Sequence, residues 1–84
     1  MKKYSYQTAG TCSVQIDFEI DDEGRLHNVQ YYGGCNGNLQ GIGRLVEGMP
    51  AAEVQSKLKG IRCGYKDTSC PDQLARALEN VVGQ

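Results

Sequence analysis

The sequence predicts an α+β fold in which a small antiparallel sheet of two or three strands carries two or three helices on one face. Three observations predict it. Strand-type alternation is confined to the first 32 residues, apolar residues at helical spacing fill the rest, and Gly and Pro separate the segments. Strands first and helices after is typical of α+β domains. At 84 residues, the chain is expected to form one domain over residues 1–84.

The central strand is predicted over residues 14–20, where apolar and polar side chains alternate. A shorter segment, residues 3–8, alternates in the same way and places its two tyrosines on one face. The acidic run of residues 21–24 ends in Gly24, a combination typical of a hairpin turn whose glycine takes a positive φ. The returning strand covers residues 25–32.

That returning strand is irregular, because Leu26 and Val29 lie three positions apart and cannot share a face without a bulge. Helical spacing begins at Leu39, and the first helix is expected to end at Gly48. Pro50 suits the first turn of a second helix. Pro71 opens a third helix after an extended segment or loop.

The alternating and helical positions together predict the core, which must be mainly aliphatic because the chain has one Phe and no Trp. Gly41 and Gly43 fall inside the first helix, where each costs about 1 kcal/mol relative to Ala. They indicate close approach of another backbone, which could belong to a neighbouring helix, a partner chain or a ligand. The predicted core residues are Val14, Ile16, Phe18, Ile20, Val29, Leu39, Ile42, Leu45, Val46, Val54, Leu58, Leu74, Leu78 and Val81.

Composition excludes several classes of function. A net charge of −1 does not fit the dense basic surface of a general nucleic-acid binder. No stretch approaches the roughly 20 apolar residues of a membrane helix, and the residues after the two N-terminal lysines do not form an apolar signal segment. We therefore expect a cytoplasmic protein whose four cysteines stay reduced and serve as metal ligands or redox groups rather than as disulfides.

The cysteines are predicted to form one metal site. Cys12 precedes the central strand, Cys35 enters the first helix, Cys63 lies in the segment before the last helix, and Cys70 lies at the start of that helix. A helix N-terminus favours the thiolate, which is the form that binds metal. We expect the sulfurs to meet at one end of the sheet, with the serines that follow Cys12 and precede Cys70 offsetting their charge. The spacing matches no common zinc finger, and one or two of the thiols could simply be small buried side chains.

The loop of residues 33–38 is a second candidate site. Backbone N–H groups of such a Gly- and Asn-rich loop can bind the phosphate of a nucleotide. We favour the alternative that its glycines simply permit a tight turn from strand to helix. His27 has polar neighbours and is interpreted as a solvated or half-buried strand residue rather than a ligand or a base. The candidate nucleotide-binding residues are Gly34, Asn36, Gly37 and Asn38.

The cysteine motifs resemble those of one family. Residues 68–72 read TSCPD, the five residues that name the TSCPD domain, and further motifs lie at residues 10–13, 33–38, 60–63 and 73–75. Members of that family resemble the extreme C-terminal domain of adenosylcobalamin-dependent ribonucleotide reductases, and many stand alone at this length. The resemblance covers nearly the whole chain. It implies metal binding by Cys12, Cys35, Cys63 and Cys70.

A second likeness, of layout alone, is to iron–sulfur cluster scaffold proteins. In both, a Cys precedes a strand, an Asp-Asp-x-Gly turn follows, and two later Cys open helices, here Cys35 and Cys70. This chain adds Cys63 and lacks the Gly-Asp that follows the first Cys of the scaffolds. A stable four-thiolate site is therefore more natural than a labile cluster.

Together with the cysteine positions, the resemblance to the TSCPD domain implies a metal-binding accessory domain linked to ribonucleotide reduction or nucleotide metabolism, with zinc as the expected metal and iron or an iron–sulfur cluster as the alternative. A ribonucleotide reductase or a related enzyme is the expected protein partner. The chain is too short to hold the barrel and radical machinery of a reductase itself. Two alternatives are a thiol redox module in which Cys63 and Cys70 form a mobile dithiol, and a nucleotide-binding regulatory module. The sequence does not indicate the oligomeric state.

Overall fold

Three strands followed by three helices form the structure, a computed structural model that describes residues 1–11, 13–34 and 36–82. β2 lies between β1 and β3 in an antiparallel sheet. The predicted α+β class and the order of its elements are confirmed. The elements are β1 (Lys2–Gln7), β2 (Ser13–Ile20), β3 (Leu26–Gly33), α1 (Asn36–Val46), α2 (Ala51–Leu58) and α3 (Cys70–Val82).

The predicted hairpin turn and bulge both lie between β2 and β3. Gly24 has a φ of 79°, as the turn requires. Beyond the turn the register shifts, so that β3 has one residue more than β2 across the same interval. Asn28 lies in this bulge and takes a left-handed φ of 53°. The bulge allows both Leu26, which is fully buried, and Val29, which is partly buried, to pack against the same core.

The core lies between the sheet and the helices. Phe18 and Leu74 are among its fully buried side chains, and Tyr4 stacks on Phe18 with ring centroids 5.4 Å apart. Leu26, Ala51 and Ala77 also belong to the core cluster, although they were not among the predicted core residues. The predicted core residues that are buried or packed against the core are Ile16, Phe18, Ile20, Val29, Leu39, Ile42, Val46, Val54, Leu58, Leu74, Leu78 and Val81.

Two predicted core residues are wrong. Val14 is 66% exposed because the register between β2 and β3 also shifts at this position, which makes Val14 an extra residue of β2 and breaks the alternation. Leu45 is 79% exposed. On α1 the buried face includes Gly43 and Val46, and Leu45 falls outside it.

The helices attach to different elements. α1 packs mainly on β3, whereas α2 packs mainly on α3. Gly48 follows α1 with a φ of 78°, as expected for a glycine that ends a helix. Within the described residues, no helix is long and apolar enough to cross a membrane.

One of the two glycines inside α1 has a close neighbour. A Cβ built on Gly43 would lie 2.8 Å from the carbonyl oxygen of Val29, whereas a Cβ on Gly41 would meet nothing within 4 Å. Gly43 therefore lets α1 lie directly against β3. The backbone that approaches α1 at Gly43 is that of a neighbouring strand and not of a neighbouring helix.

Candidate metal centre

Residues 68–72 lie at the start of α3, and four of these five residues are buried. Ser69 caps the helix, because its Oγ accepts the Asp72 N–H at 3.1 Å and its carbonyl oxygen accepts the Gln73 N–H at 2.8 Å. Cys70 is the first residue of α3, one position after the cap, as predicted. Pro71 lies in the first turn, where its missing N–H leaves no hydrogen bond unmade.

The Asp72 carboxylate joins three parts of the chain. Its Oδ1 accepts the Gly60 N–H at 2.7 Å, and its Oδ2 accepts the Thr68 hydroxyl and the Arg76 Nε–H, the latter at 2.9 Å. Burial opposes ionisation of this group, but the hydrogen bonds and the Arg76 charge outweigh it and lower the pKa of Asp72. These four residues, the Asp72 cluster, hold the loop between α2 and α3 against the start of α3.

Cys70 is a buried thiol in contact with both β2 and β3. Its Sγ lies 3.2 Å from the Ser13 Oγ, and its carbonyl oxygen accepts the Tyr31 hydroxyl at 2.8 Å. Burial, followed by the proximity of Cys70, raises the pKa of Tyr31 well above its usual range, so this hydroxyl remains a neutral donor. Ser13 is one of the two serines expected to offset the charge of the cysteines; it contacts a thiol, and its role beside a metal stays a prediction.

Ser69, the other serine, has a different role. Its hydroxyl donates to the Ile61 carbonyl oxygen at 2.6 Å while accepting the Asp72 N–H. It therefore fixes the loop and caps the helix. Sequence alone did not separate the roles of the two serines.

Cys63 is exposed in the loop between α2 and α3. Its N–H donates to the Thr68 carbonyl oxygen at 3.2 Å, and its own carbonyl oxygen accepts the Lys66 N–H at 3.1 Å. These bonds fold the loop back on itself. The backbone of Cys63 consequently lies beside a residue only two positions before Cys70.

Cys12 and Cys35 lie outside the described residues, so the four-cysteine site stays a prediction. Their sequence neighbours are informative. Ser13 pairs in register with Gly33, and the Ser13 hydroxyl contacts the sulfur of Cys70. In the described part of the chain, no three His, Cys, Asp or Glu side chains come together as metal ligands would.

The predicted nucleotide loop is shorter in the structure, because α1 begins at Asn36. Gly37 and Asn38 therefore lie in the first helical turn, where both are exposed. Gly33 and Gly34 have φ values of 78° and 80°, which glycine adopts readily. They permit the turn from β3 into α1, as the alternative interpretation expected. Nucleotide binding by Gly34 and the three residues from Asn36 onward stays a prediction.

His27 is half-buried, as predicted, but its partners were not foreseen. Its Nε2 lies 2.7 Å from the Asp21 Oδ2 and its Nδ1 lies 2.6 Å from the Glu47 Oε2. Glu47 also accepts the Asn28 N–H at 2.8 Å. Hydrogen bonds to Asp21 and then to Glu47 raise the pKa of His27. These four residues, the His27 cluster, tie the hairpin turn to the end of α1. The acidic turn was the one available sequence signal, and nothing pointed to Glu47.

Comparison with known proteins gives one match. A family model described as the TSCPD domain matches residues 2–82. This range contains every strand and helix described above and all four cysteines. No curated protein and no solved structure matches the chain.

Proposed function

Because the chain belongs to the TSCPD domain family, we propose that it is a small zinc-binding accessory domain of the cytoplasm, linked to ribonucleotide reduction or nucleotide metabolism. The family link supports a ribonucleotide reductase or a related enzyme as its protein partner. Iron or an iron–sulfur cluster is the alternative cofactor. The proposed ligands are the thiolates of Cys12, Cys35, Cys63 and Cys70.

The observation that carries this proposal is the environment of Cys70. Its sulfur is buried, lies at the first residue of a 13-residue helix and contacts the Ser13 hydroxyl. A hydroxyl that hydrogen-bonds a cysteine sulfur is typical of the groups that surround a metal ligand. Ser13 follows Cys12 directly and pairs with Gly33, two positions before Cys35. The segments leading to three of the cysteines thus reach one end of the sheet.

The donor set fits zinc or iron, since soft thiolates prefer these metals to calcium or magnesium. Four thiolates leave no open coordination position, so the metal would be structural rather than catalytic. The metal would hold the exposed Cys63 loop against the start of α3, where the Ser69 hydroxyl already bonds the Ile61 carbonyl oxygen. A loop fixed in this way is suited to docking a partner.

The test is metal analysis of the full chain purified under reducing conditions without added metal. We expect about one zinc per chain and loss of most of it in each single Cys→Ser variant. Ser56→Ala is the control, because this serine is exposed on α2 and its hydroxyl bonds the Glu53 carbonyl oxygen, away from the segments that carry the cysteines. It should retain the metal. A folded, reduced and metal-free wild-type protein that takes up neither zinc nor iron would overturn the proposal.

A redox role is the second candidate, and the unequal burial of two thiols favours it. Cys63 is exposed whereas Cys70 is buried, and the loop between them folds back on itself. An exposed attacking thiol with a sheltered partner is the arrangement a mobile dithiol uses. In this case the protein would be metal-free. Cys63 and Cys70 would pass two electrons and two protons to a disulfide of the partner reductase and become a disulfide themselves, which thioredoxin would reduce again. Peptide mapping after oxidation distinguishes that pair from a metal site that has merely lost its ion.

A further inference from the structure

Hydroxyl groups lead from the connection between β1 and β2 to the sulfur of Cys70. The Ser13 Oγ lies 3.2 Å from the Cys70 Sγ, and the Thr11 Oγ1 lies 3.0 Å from the Ser13 Oγ. The Thr8 hydroxyl donates to the Ser13 carbonyl oxygen at 2.5 Å. Ser13 and Cys70 are buried, whereas Thr11 is half-buried. The thiol is therefore two hydrogen bonds away from a side chain that reaches the surface.

The direction of these hydrogen bonds follows from the number of protons. Each hydroxyl has one proton to donate. The Ser13 carbonyl oxygen already accepts the Thr8 hydroxyl, and its distance of 3.4 Å from the Thr11 Oγ1 exceeds the usual range of O–H···O hydrogen bonds. The Thr11 proton is therefore better placed on the Ser13 Oγ, at 3.0 Å. The Ser13 proton is then left for the sulfur of Cys70.

We propose that Thr11 is a positioning residue of the proposed metal centre, which acts through Ser13 on the sulfur of Cys70. A sulfur that coordinates a metal carries no proton and can only accept a hydrogen bond. Thr11 holds the Ser13 hydroxyl in the orientation that donates to this sulfur, and its own donation polarises that hydroxyl and strengthens the bond. The inference rests on the proposed function and adds to it a residue that does not itself bind the metal.

Other groups hold the backbone of Cys70. The Tyr31 hydroxyl bonds its carbonyl oxygen at 2.8 Å, and Ser69 caps the helix that begins at Cys70. Removing the Thr11 hydroxyl should therefore change what the sulfur accepts without moving the backbone that carries it. Metal affinity is the quantity that should respond.

The experiment measures the zinc affinity of the full chain under reducing conditions, by competition with a chromophoric chelator. Thr11→Val keeps the shape of the side chain and removes its hydroxyl, so it should weaken zinc binding about 10-fold. Thr11→Ser retains the hydroxyl and should bind zinc nearly as tightly as wild type. Ser5→Ala is the matched control, because it also removes a hydroxyl that bonds β2, at the exposed Asp17 contact. It should leave the zinc affinity unchanged.

A double-mutant cycle tests whether Thr11 acts through Ser13. Ser13→Ala should weaken zinc binding by at least as much as Thr11→Val, and Thr11→Val should have no further effect in the Ser13→Ala protein. With iron in place of zinc, Thr11→Val should also lower the reduction potential of the wild-type site, since hydrogen bonds to the sulfurs stabilise the more negative, reduced form. A role in stability alone would not move this potential.

Three results overturn the inference while leaving the metal centre in place. They are a Thr11→Val chain that binds zinc like wild type, equal losses in Thr11→Val and Thr11→Ser, and a loss from Thr11→Val that is the same with and without the Ser13 hydroxyl. Should Ser13→Ala fail to fold by circular dichroism, Thr11→Val and Thr11→Ser decide. A wild-type chain that binds neither zinc nor iron overturns the proposed function as well, which distinguishes the two failures.

Discussion

The Asp72 cluster and the His27 cluster each use carboxylates to tie a helix to the rest of the fold, but they are built from different donors. Asp72 is buried and accepts hydrogen bonds from a backbone N–H, a hydroxyl and a guanidinium. Asp21 and Glu47 lie nearer the surface and share an imidazole. None of the Asp72 donors loses a proton near neutral pH, whereas an imidazole does.

This difference determines how each cluster responds to pH. The pKa of Asp72 is lowered, so its contribution to stability is present above its unfolded pKa of about 3.8 and is lost as the pH falls. The pKa of His27 is raised, so its contribution is present below about 6.5 and is lost as the pH rises. The hydrogen bonds that hold the start of α3, beside the proposed metal centre, should therefore keep their strength around neutral pH. Those that attach α1 to the hairpin turn should weaken as the pH rises.

Removing the charge of Asp72 should have the largest effect. In Asp72→Asn one carboxylate oxygen becomes an NH₂ group that faces donors already present, so we expect a loss of about 3 kcal/mol in the free energy of unfolding. Urea unfolding measures it. Asp67→Asn, in the exposed loop, is the control and should stay within about 0.5 kcal/mol of wild type. Equal effects of the two substitutions would mean that the buried cluster is no stronger than a surface charge.

α1 is held in place by packing as well as by the His27 cluster. Substitutions of the two glycines inside α1 test the contribution of packing. Gly43→Ala should destabilise the fold by about 2 kcal/mol, because the new methyl group meets the Val29 carbonyl oxygen at 2.8 Å. Gly41→Ala, two positions away with open space around it, should stabilise by up to about 1 kcal/mol through helix propensity. Thermal unfolding of both variants checks the contrast. A stabilising Gly43→Ala would show that α1 shifts away from β3 at little cost.

Tyr31 and Tyr32 provide a smaller comparison at the same end of the sheet. Tyr31→Phe removes the hydroxyl that bonds the Cys70 carbonyl oxygen, in a largely buried setting, and should cost about 1 kcal/mol. The Tyr32 hydroxyl lies beside Asp17 on the exposed side, so Tyr32→Phe should cost less than about 0.5 kcal/mol. Urea unfolding of the two variants ranks them. The reverse order would mean that β3 contributes little to holding the start of α3.

Local sequence patterns predicted most of the fold, but they did not predict features that depend on residues far apart in the sequence. The alternation from Ile16 to Ile20 and the glycine at position 24 were sufficient for the hairpin, because strand period and turn chemistry are local. Val14 and Leu45 were wrongly assigned to the core, because the local spacing of apolar residues shows neither the bulge at Val14 nor which side of α1 faces β3. Both depend on what packs opposite.

The candidate site divides in the same way. Cys70 and Ser13 were recognisable from their motifs, and the structure brings them into contact. Asp72 belongs to the same motif, yet its role depends on Gly60, 12 residues earlier, and could not be deduced from spacing. Glu47 escaped notice for the same reason, since it lies 20 residues from His27 and no periodicity connects a helix end to a strand.

The smallest effect should come from His27, and it is the one that distinguishes the two clusters by pH. Both ring nitrogens face carboxylates, so the protonated ring donates twice whereas the neutral ring places a lone pair against an oxygen. Asp21 and Glu47, whose pKa values are lowered, stay ionised across the neutral range.

The test compares the urea unfolding midpoint of wild type with that of His27→Gln from about pH 6 to about pH 8.5. Both proteins are treated identically, so that their cysteines are in the same state. The wild type should lose its advantage as the pH rises above about 6.5, and an NMR titration should place the pKa of His27 above that value. Asp72→Asn, compared with wild type over the same range, should show a constant difference. A constant difference for His27→Gln as well would mean that the two clusters do not differ in the way their donors imply.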